Sequence, residues 1–168
     1  MRYSGILFLV AAIGFGAVKG GEFSGTWRMD TTRSESAHWV GPMEESTIVI
    51  EMSDGQVTTE TTRNEPGKPT SFHEKLVFKL DGSETSGIGE GGASVTGKAR
   101  WEGGKLVLET VRNINDSTVS TSYVYSLSPD GKSMTIDKTL TVQHGYQGKT
   151  GSNTGKGKDI FLRVNAEK

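Results

Sequence analysis

From Thr47 to Val164 apolar side chains recur at every second position in short runs, and glycine-bearing turns separate the runs. Ile48, Ile50 and Met52 alternate with Thr47, Val49 and Glu51. Phe72, Leu76, Phe78 and Leu80 alternate with His73, Lys75 and Lys79, and Val95, Ala99 and Trp101 with Thr96, Lys98, Arg100 and Glu102. Val119, Tyr123, Tyr125 and Leu127 stand against Ser120, Ser122 and Ser126, and Met134, Ile136, Leu140 and Val142 against Thr135, Asp137, Thr139 and Thr141. In the last run Ile160, Leu162 and Val164 are expected inside, with Asp159, Arg163 and Asn165 outside. A period of two marks strands with one buried and one wet face. Parallel strands are buried on both faces, so this pattern belongs to an antiparallel sheet.

The turns fit hairpins. Asp54-Gly55, Asp81-Gly82 and Gly103-Gly104 lie between alternating runs and supply the positive φ angles that tight hairpins require. Pro129-Asp130-Gly131-Lys132 serves the same purpose, with proline presetting φ. Eight to ten strands joined in sequence order would leave long edges and an exposed apolar face as an open sheet. A barrel or a curled sandwich removes that problem; the expected fold is all-β, an antiparallel up-and-down β-barrel. Three stretches interrupt the rhythm. Residues 31–43 allow a short helical turn capped by Asp30 or Thr31, 86–92 read as a flexible or bulged connection, and 143–158 read as a long exposed loop.

The first residues have a different character. A cationic start at Arg2 precedes the apolar run from Ile6 to Val18, which is shorter than the roughly 20 residues of a comfortable membrane span. It reads as a secretory signal peptide over residues 1–20, cleaved after Gly20, and as secreted or periplasmic localisation. An uncleaved anchor is the other reading of this run. Residues 21–168 then form one domain, long enough to bury its own core. The chain has no cysteine, so disulfides, thiol chemistry and a lipoprotein anchor are excluded. Its net charge is −1, and without a basic block it lacks the electrostatic footprint of a nucleic-acid binder.

Gly25-Thr26-Trp27 on the first strand, with Arg163 on the last, resembles the lipocalin and calycin group. That resemblance implies a first-strand tryptophan packed against an arginine of the closing strand. Indole and guanidinium faces attract each other, and arginine can bond free carbonyls where a barrel base closes. Gly25 lets the backbone pass close. Thr121-Ser122-Tyr123 is similar to a Thr-Asp-Tyr element of that group. The run from Gly25 to Asp30 through Arg33-Ser34, together with Leu127 to Lys132 and Ile160 to Arg163, is similar to small secreted bacterial lipocalin-like domains of unknown function. The resemblance implies binding of a small apolar ligand and no defined chemistry.

No catalytic constellation emerges. The three histidines, His38, His73 and His144, are not at metal-ligand spacing, and no serine stands in a Gly-x-Ser-x-Gly elbow. Neither a cofactor nor a metal is expected. Two charged residues fall in line with apolar faces: Glu74 with Phe72 and Leu76, and Lys138 with Ile136 and Leu140. A lone buried charge costs several kcal/mol. Glu74 and Lys138 therefore pair with each other, meet a ligand head group, or lie near strand ends from which they reach water. Tyr123 and Tyr125 form an aromatic stripe that serves core packing or ligand contact. Trp39 lies where a barrel mouth is often covered and acts as a lid or as a plug. The expected function is non-catalytic binding of a small hydrophobic or amphipathic molecule in the lumen. The alternative is a structural or protein-interaction barrel filled by its own side chains.

Overall fold

The computed structural model describes residues 20–35, 45–64, 72–114, 117–144 and 151–164. Ten strands run in sequence order: β1 (Gly25–Met29), β2 (Glu45–Ser53), β3 (Gln56–Asn64), β4 (Phe72–Lys79), β5 (Thr85–Ile88), β6 (Ser94–Glu102), β7 (Lys105–Ile114), β8 (Ser117–Leu127), β9 (Ser133–His144) and β10 (Gly151–Arg163). A single antiparallel sheet holds them in the order β4-β3-β2-β1-β10-β9-β8-β7-β6-β5. Every neighbour is also a sequence neighbour except at β1 and β10, which pair directly through Trp27 opposite Arg163 and Met29 opposite Phe161. The product is an up-and-down meander curled into a nearly closed barrel.

The tight turns follow from their residues. Gly103 and Gly104 join β6 to β7 with φ of 52° and 82°, the two successive positive angles that a twisted two-residue hairpin needs. Asp30 forms a side-chain-bonded turn rather than a helix. Its carboxylate accepts from the Thr32 backbone N–H at 3.1 Å, the Thr32 hydroxyl at 2.6 Å and Arg33 Nε at 2.6 Å.

Three sequence expectations change here. Ser86 to Ile88 is strand, paired with Ser94 to Thr96 of β6. The stretch read as a long loop carries most of β10, which pairs in unbroken register with β9 from Gly151 opposite His144 to Leu162 opposite Ser133. Glycine and lysine content suggested a loop, but the ladder to β9, with an isolated bridge from Glu35 to Lys158, holds this segment extended. The inner face of β10 is also the opposite of the one expected: Asp159 and Phe161 are buried, while Leu162 and Val164 are exposed. Pairing Trp27 with Arg163 fixes the parity of the strand, and a shift of one residue would send Phe161 to solvent.

The barrel does not close by a ladder between β4 and β5, the two ends of the sheet order. Side chains close this seam. A Cβ at Gly97 would collide with the Phe78 ring, so the absent side chain is what lets Phe78 of β4 lie over β6. Further along, Glu74 of β4 reaches Arg112 of β7.

Candidate functional site

The end of the barrel carrying the 54–55, 103–104 and 129–131 turns is solid. Trp27 is fully buried and donates its indole N–H to the Phe23 carbonyl at 2.9 Å. Arg163 lays its guanidinium over the Trp27 ring at 4.1 Å. The same group donates to the carbonyls of Gly131 at 2.9 Å, Ser24 at 2.8 Å and Glu22. One side chain thus ties the Gly21–Phe23 turn, the start of β1 and the β8–β9 turn together. A Cβ at Gly25 would lie 2.9 Å from Arg163 Nη1, so glycine keeps the path of the guanidinium clear. Phe23 packs on Trp101 with ring centroids 5.7 Å apart. A cleft of about 390 Å3 lies outside this floor, between Glu22, Phe23, Lys105, Leu127 and Pro129.

Above the floor the inner wall changes character. On each strand the residues nearest the base are apolar: Val57 on β3, Phe78 on β4, Leu106 and Leu108 on β7, Met134 and Ile136 on β9, and Phe161 on β10. Higher up, inward positions carry polar side chains: Ser46 on β2, Thr59 and Arg63 on β3, Glu74 on β4 beyond Leu76, Thr110 and Arg112 on β7, Thr121 on β8 beyond Tyr123, Lys138 on β9 and Asp159 on β10. Toward the mouth the wall becomes apolar again, with half-buried Val119, Leu140 and Val142. Gly155 and Gly157 face inward between them, opposite Leu140 and Lys138, and leave that stretch of wall without side chains.

The polar band is internally paired. Arg112 grips Glu74 with two parallel bonds, Nη2 to Oε2 at 2.7 Å and Nη1 to Oε1. Bidentate pairs of this kind are among the stronger charged contacts. Lys138 Nζ stands 2.6 Å from Asp159 Oδ2. Glu74 and Lys138 therefore have separate partners, and neither reaches water from a strand end: their side chains are 8% and 21% exposed. Arg63 lies over the Phe72 ring at 3.9 Å. Two buried polar atoms have no hydrogen-bond partner among the described residues, Asp159 Oδ1 and Thr110 Oγ1. Burial pushes the Asp159 carboxyl above the usual carboxylate range, against the opposing pull of Lys138 and Arg63.

Tyr123 and Tyr125 face inward on β8, 6.5 Å apart between centroids. Tyr125 is buried and opposes Leu106 and Ile136 in the floor. Burial holds its phenol well above the ordinary value. Tyr123 sits one step higher, between Leu108 and Lys138, beside the polar band. His73 points outward and bonds Glu60 at 2.9 Å. Trp39 lies outside the described residues.

Arg63, Thr110, Arg112 and Asp159 were not anticipated. Parity contained the signal for Arg112, since Leu106, Leu108, Thr110 and Arg112 form one alternating face. For Asp159 it lay in Arg163: an inward Arg163 forces an inward Asp159 four residues earlier on the same strand.

No protein-family model matches the chain, and no curated protein sequence does. Solved structures do. A Schistosoma mansoni fatty-acid-binding protein in complex with arachidonic acid superposes with a TM-score of 0.54 at 18% identity, over 88% of this chain and 99% of that one. A secretary abundant heat soluble (SAHS) protein from Ramazzottius varieornatus gives 0.54 at 16% identity, over 88% and 98%. Fatty-acid-binding protein 1 of Echinococcus granulosus gives 0.51 at 14% identity, over 86% and 98%. At these identities the likeness is one of fold: the chain shares the antiparallel β-barrel of these proteins over 86–88% of its length.

Proposed function

We propose that the barrel binds a small amphipathic molecule in the upper half of its lumen, without catalysing a reaction on it. The observation that carries this reading is the layering of the inner wall. A barrel evolved only to be filled would continue its apolar packing upward, since buried charges cost free energy unless paired and solvated. Here a packed apolar floor gives way to a band of ion pairs and hydroxyls, and then to an apolar wall partly bare of side chains at Gly155 and Gly157. A ligand entering from the mouth would turn its polar end down toward Glu74, Arg112, Lys138 and Asp159. Its apolar part would lie along Val119, Leu140 and Val142. Tyr123 stands at the boundary. The arachidonic-acid complex of the Schistosoma protein shows that a barrel of this fold accommodates a ligand of that kind, which supports the reading. Trp39 belongs to it as a candidate cover for the mouth, and the cationic start followed by the apolar run up to Val18 supports export before binding.

The experiment is native mass spectrometry of protein purified without denaturant from its own host. A co-purified mass of lipid size, lost in a Leu140→Glu variant, is the expected result. If no adduct is found and intrinsic tryptophan fluorescence does not respond to fatty acids or alcohols, the lumen is a structural interior and the interaction-module reading takes its place. Export is tested separately by sequencing the mature N-terminus, expected at Gly21.

A further inference from the structure

The polar band also indicates which head group it accepts. Asp159 projects from the inner face of β10 beside Ile136, its side chain 7% exposed. Lys138 occupies Oδ2 at 2.6 Å, and Oδ1 is bonded to nothing among the described residues. A buried carboxylate oxygen in that condition lacks a hydrogen-bond donor, and leaving it so is costly. The inward cations are engaged already: Arg112 with Glu74, Lys138 with Asp159, and Arg63 over Phe72. The acceptor left without a donor is Asp159 Oδ1, while the Thr110 hydroxyl can donate or accept and Lys138 keeps donors beyond its bond to Oδ2.

Resting on the lumen-binding reading above, we propose that Asp159 Oδ1 receives the hydroxyl of a neutral amphiphile, so that the barrel selects a long-chain alcohol over the acid or amine of equal length. A fatty carboxylate would bring its own anionic oxygens against Oδ1, with no proton to donate. An alkylammonium could donate, but it would add a positive charge beside Lys138 and within the field of Arg63, in a band that already holds the cations Arg63, Arg112 and Lys138 against the anions Glu74 and Asp159. A hydroxyl donates to Oδ1 without adding charge. Its oxygen can also accept from the Lys138 ammonium, which has three donors. Sites built to bond a hydroxyl reject analogues that lack it, because their own polar groups are then left unpaired.

The test compares tetradecanol, tetradecanoic acid and tetradecylamine in displacement of a fluorescent lipid probe at pH 8. Tetradecanol is expected to bind at least about tenfold more tightly than the other two, the factor that one well-made bond to a buried charged group supplies. In a Lys138→Leu/Asp159→Leu variant, which removes both charges together, the three should fall within about twofold of one another. Tighter binding of the acid than of the alcohol in the unmodified protein overturns the hydroxyl proposal and leaves lumen binding intact. Persistence of the alcohol preference in the double variant also overturns it. If none of the three binds, the lumen reading itself fails and the proposal with it. Should the double variant not fold, the comparison in the unmodified protein still decides the matter.

Discussion

Replacing Arg163 by methionine keeps the length and packing of the side chain and removes what its guanidinium does. Two of its three carbonyl bonds, to Gly131 and Ser24, are partly buried, and the third, to Glu22, is exposed. Hydrogen bonds to a charged group contribute about 1.5–3 kcal/mol each where water is excluded. Counting the two partly buried bonds near the lower figure, and adding about 0.5–1 kcal/mol for the stack on Trp27, Arg163→Met should cost roughly 3–4 kcal/mol. Arg163→Lys keeps the charge, but an ammonium cannot address three carbonyls and a ring face at once. It should lose about 2 kcal/mol. The assay is urea unfolding followed by circular dichroism, with an unchanged m-value showing that the unfolded state is not the cause. A double-mutant cycle with Trp27→Leu isolates the stack, expected at about 0.5–1 kcal/mol. Amide exchange in the Gly21–Phe23 turn should quicken in both Arg163 variants, because its Glu22 tether is gone. A loss below about 1 kcal/mol in Arg163→Met would show that the base closes without its arginine, and the closure argument would be refuted.

Glu74→Leu leaves half-buried Arg112 without this carboxylate and should destabilise the protein by about 3 kcal/mol, whereas Glu74→Leu/Arg112→Leu should recover most of that loss in chemical denaturation. Gly97→Ala places a methyl into the Phe78 ring and should cost about 1–3 kcal/mol; Phe78→Leu should reduce that penalty, as read from melting temperatures. The Asp30 carboxyl is held below its ordinary 3.8, by the Thr32 side-chain bond first and then by Arg33. A depressed folded pKa stabilises above the unfolded value and is lost as pH falls through the folded one. The unfolding midpoints of the natural protein and of Asp30→Asn should therefore differ by a constant amount at neutral pH and converge below pH 3.8.

The site was harder to read than the fold, and β10 shows why. Residues 160–162 are all apolar, so alternation admits two parities for this strand. Placing Ile160 and Leu162 inside cannot be combined with an inward Arg163, yet a meeting of Trp27 and Arg163 requires one. The conflict was visible in the chain, but its resolution was not. It needed the register of β1 on β10, and with it came Asp159 on the inner wall. The glycines and lysines of 151–158 misled for a related reason. Local propensity describes a residue's preference in isolation, and here the ladder to β9 outweighs it.

Alternation and turn chemistry by themselves determined an antiparallel meander and its strand number within a narrow range, and left a barrel or a curled sandwich as the ways to cover its edges. These are local properties, set by which side of an extended backbone each residue occupies and by which residues tolerate positive φ. The sequence also marked Glu74 and Lys138 as charges on a buried face. It could not say what they meet. Glu74 and Arg112 stand 38 positions apart, and Lys138 and Asp159 lie on different strands, so their pairing depends on strand order, shear and the seam between β4 and β5. Only the closed structure decides which charges share the lumen and which oxygen is left without a donor, because a buried ion pair is a property of two surfaces brought together.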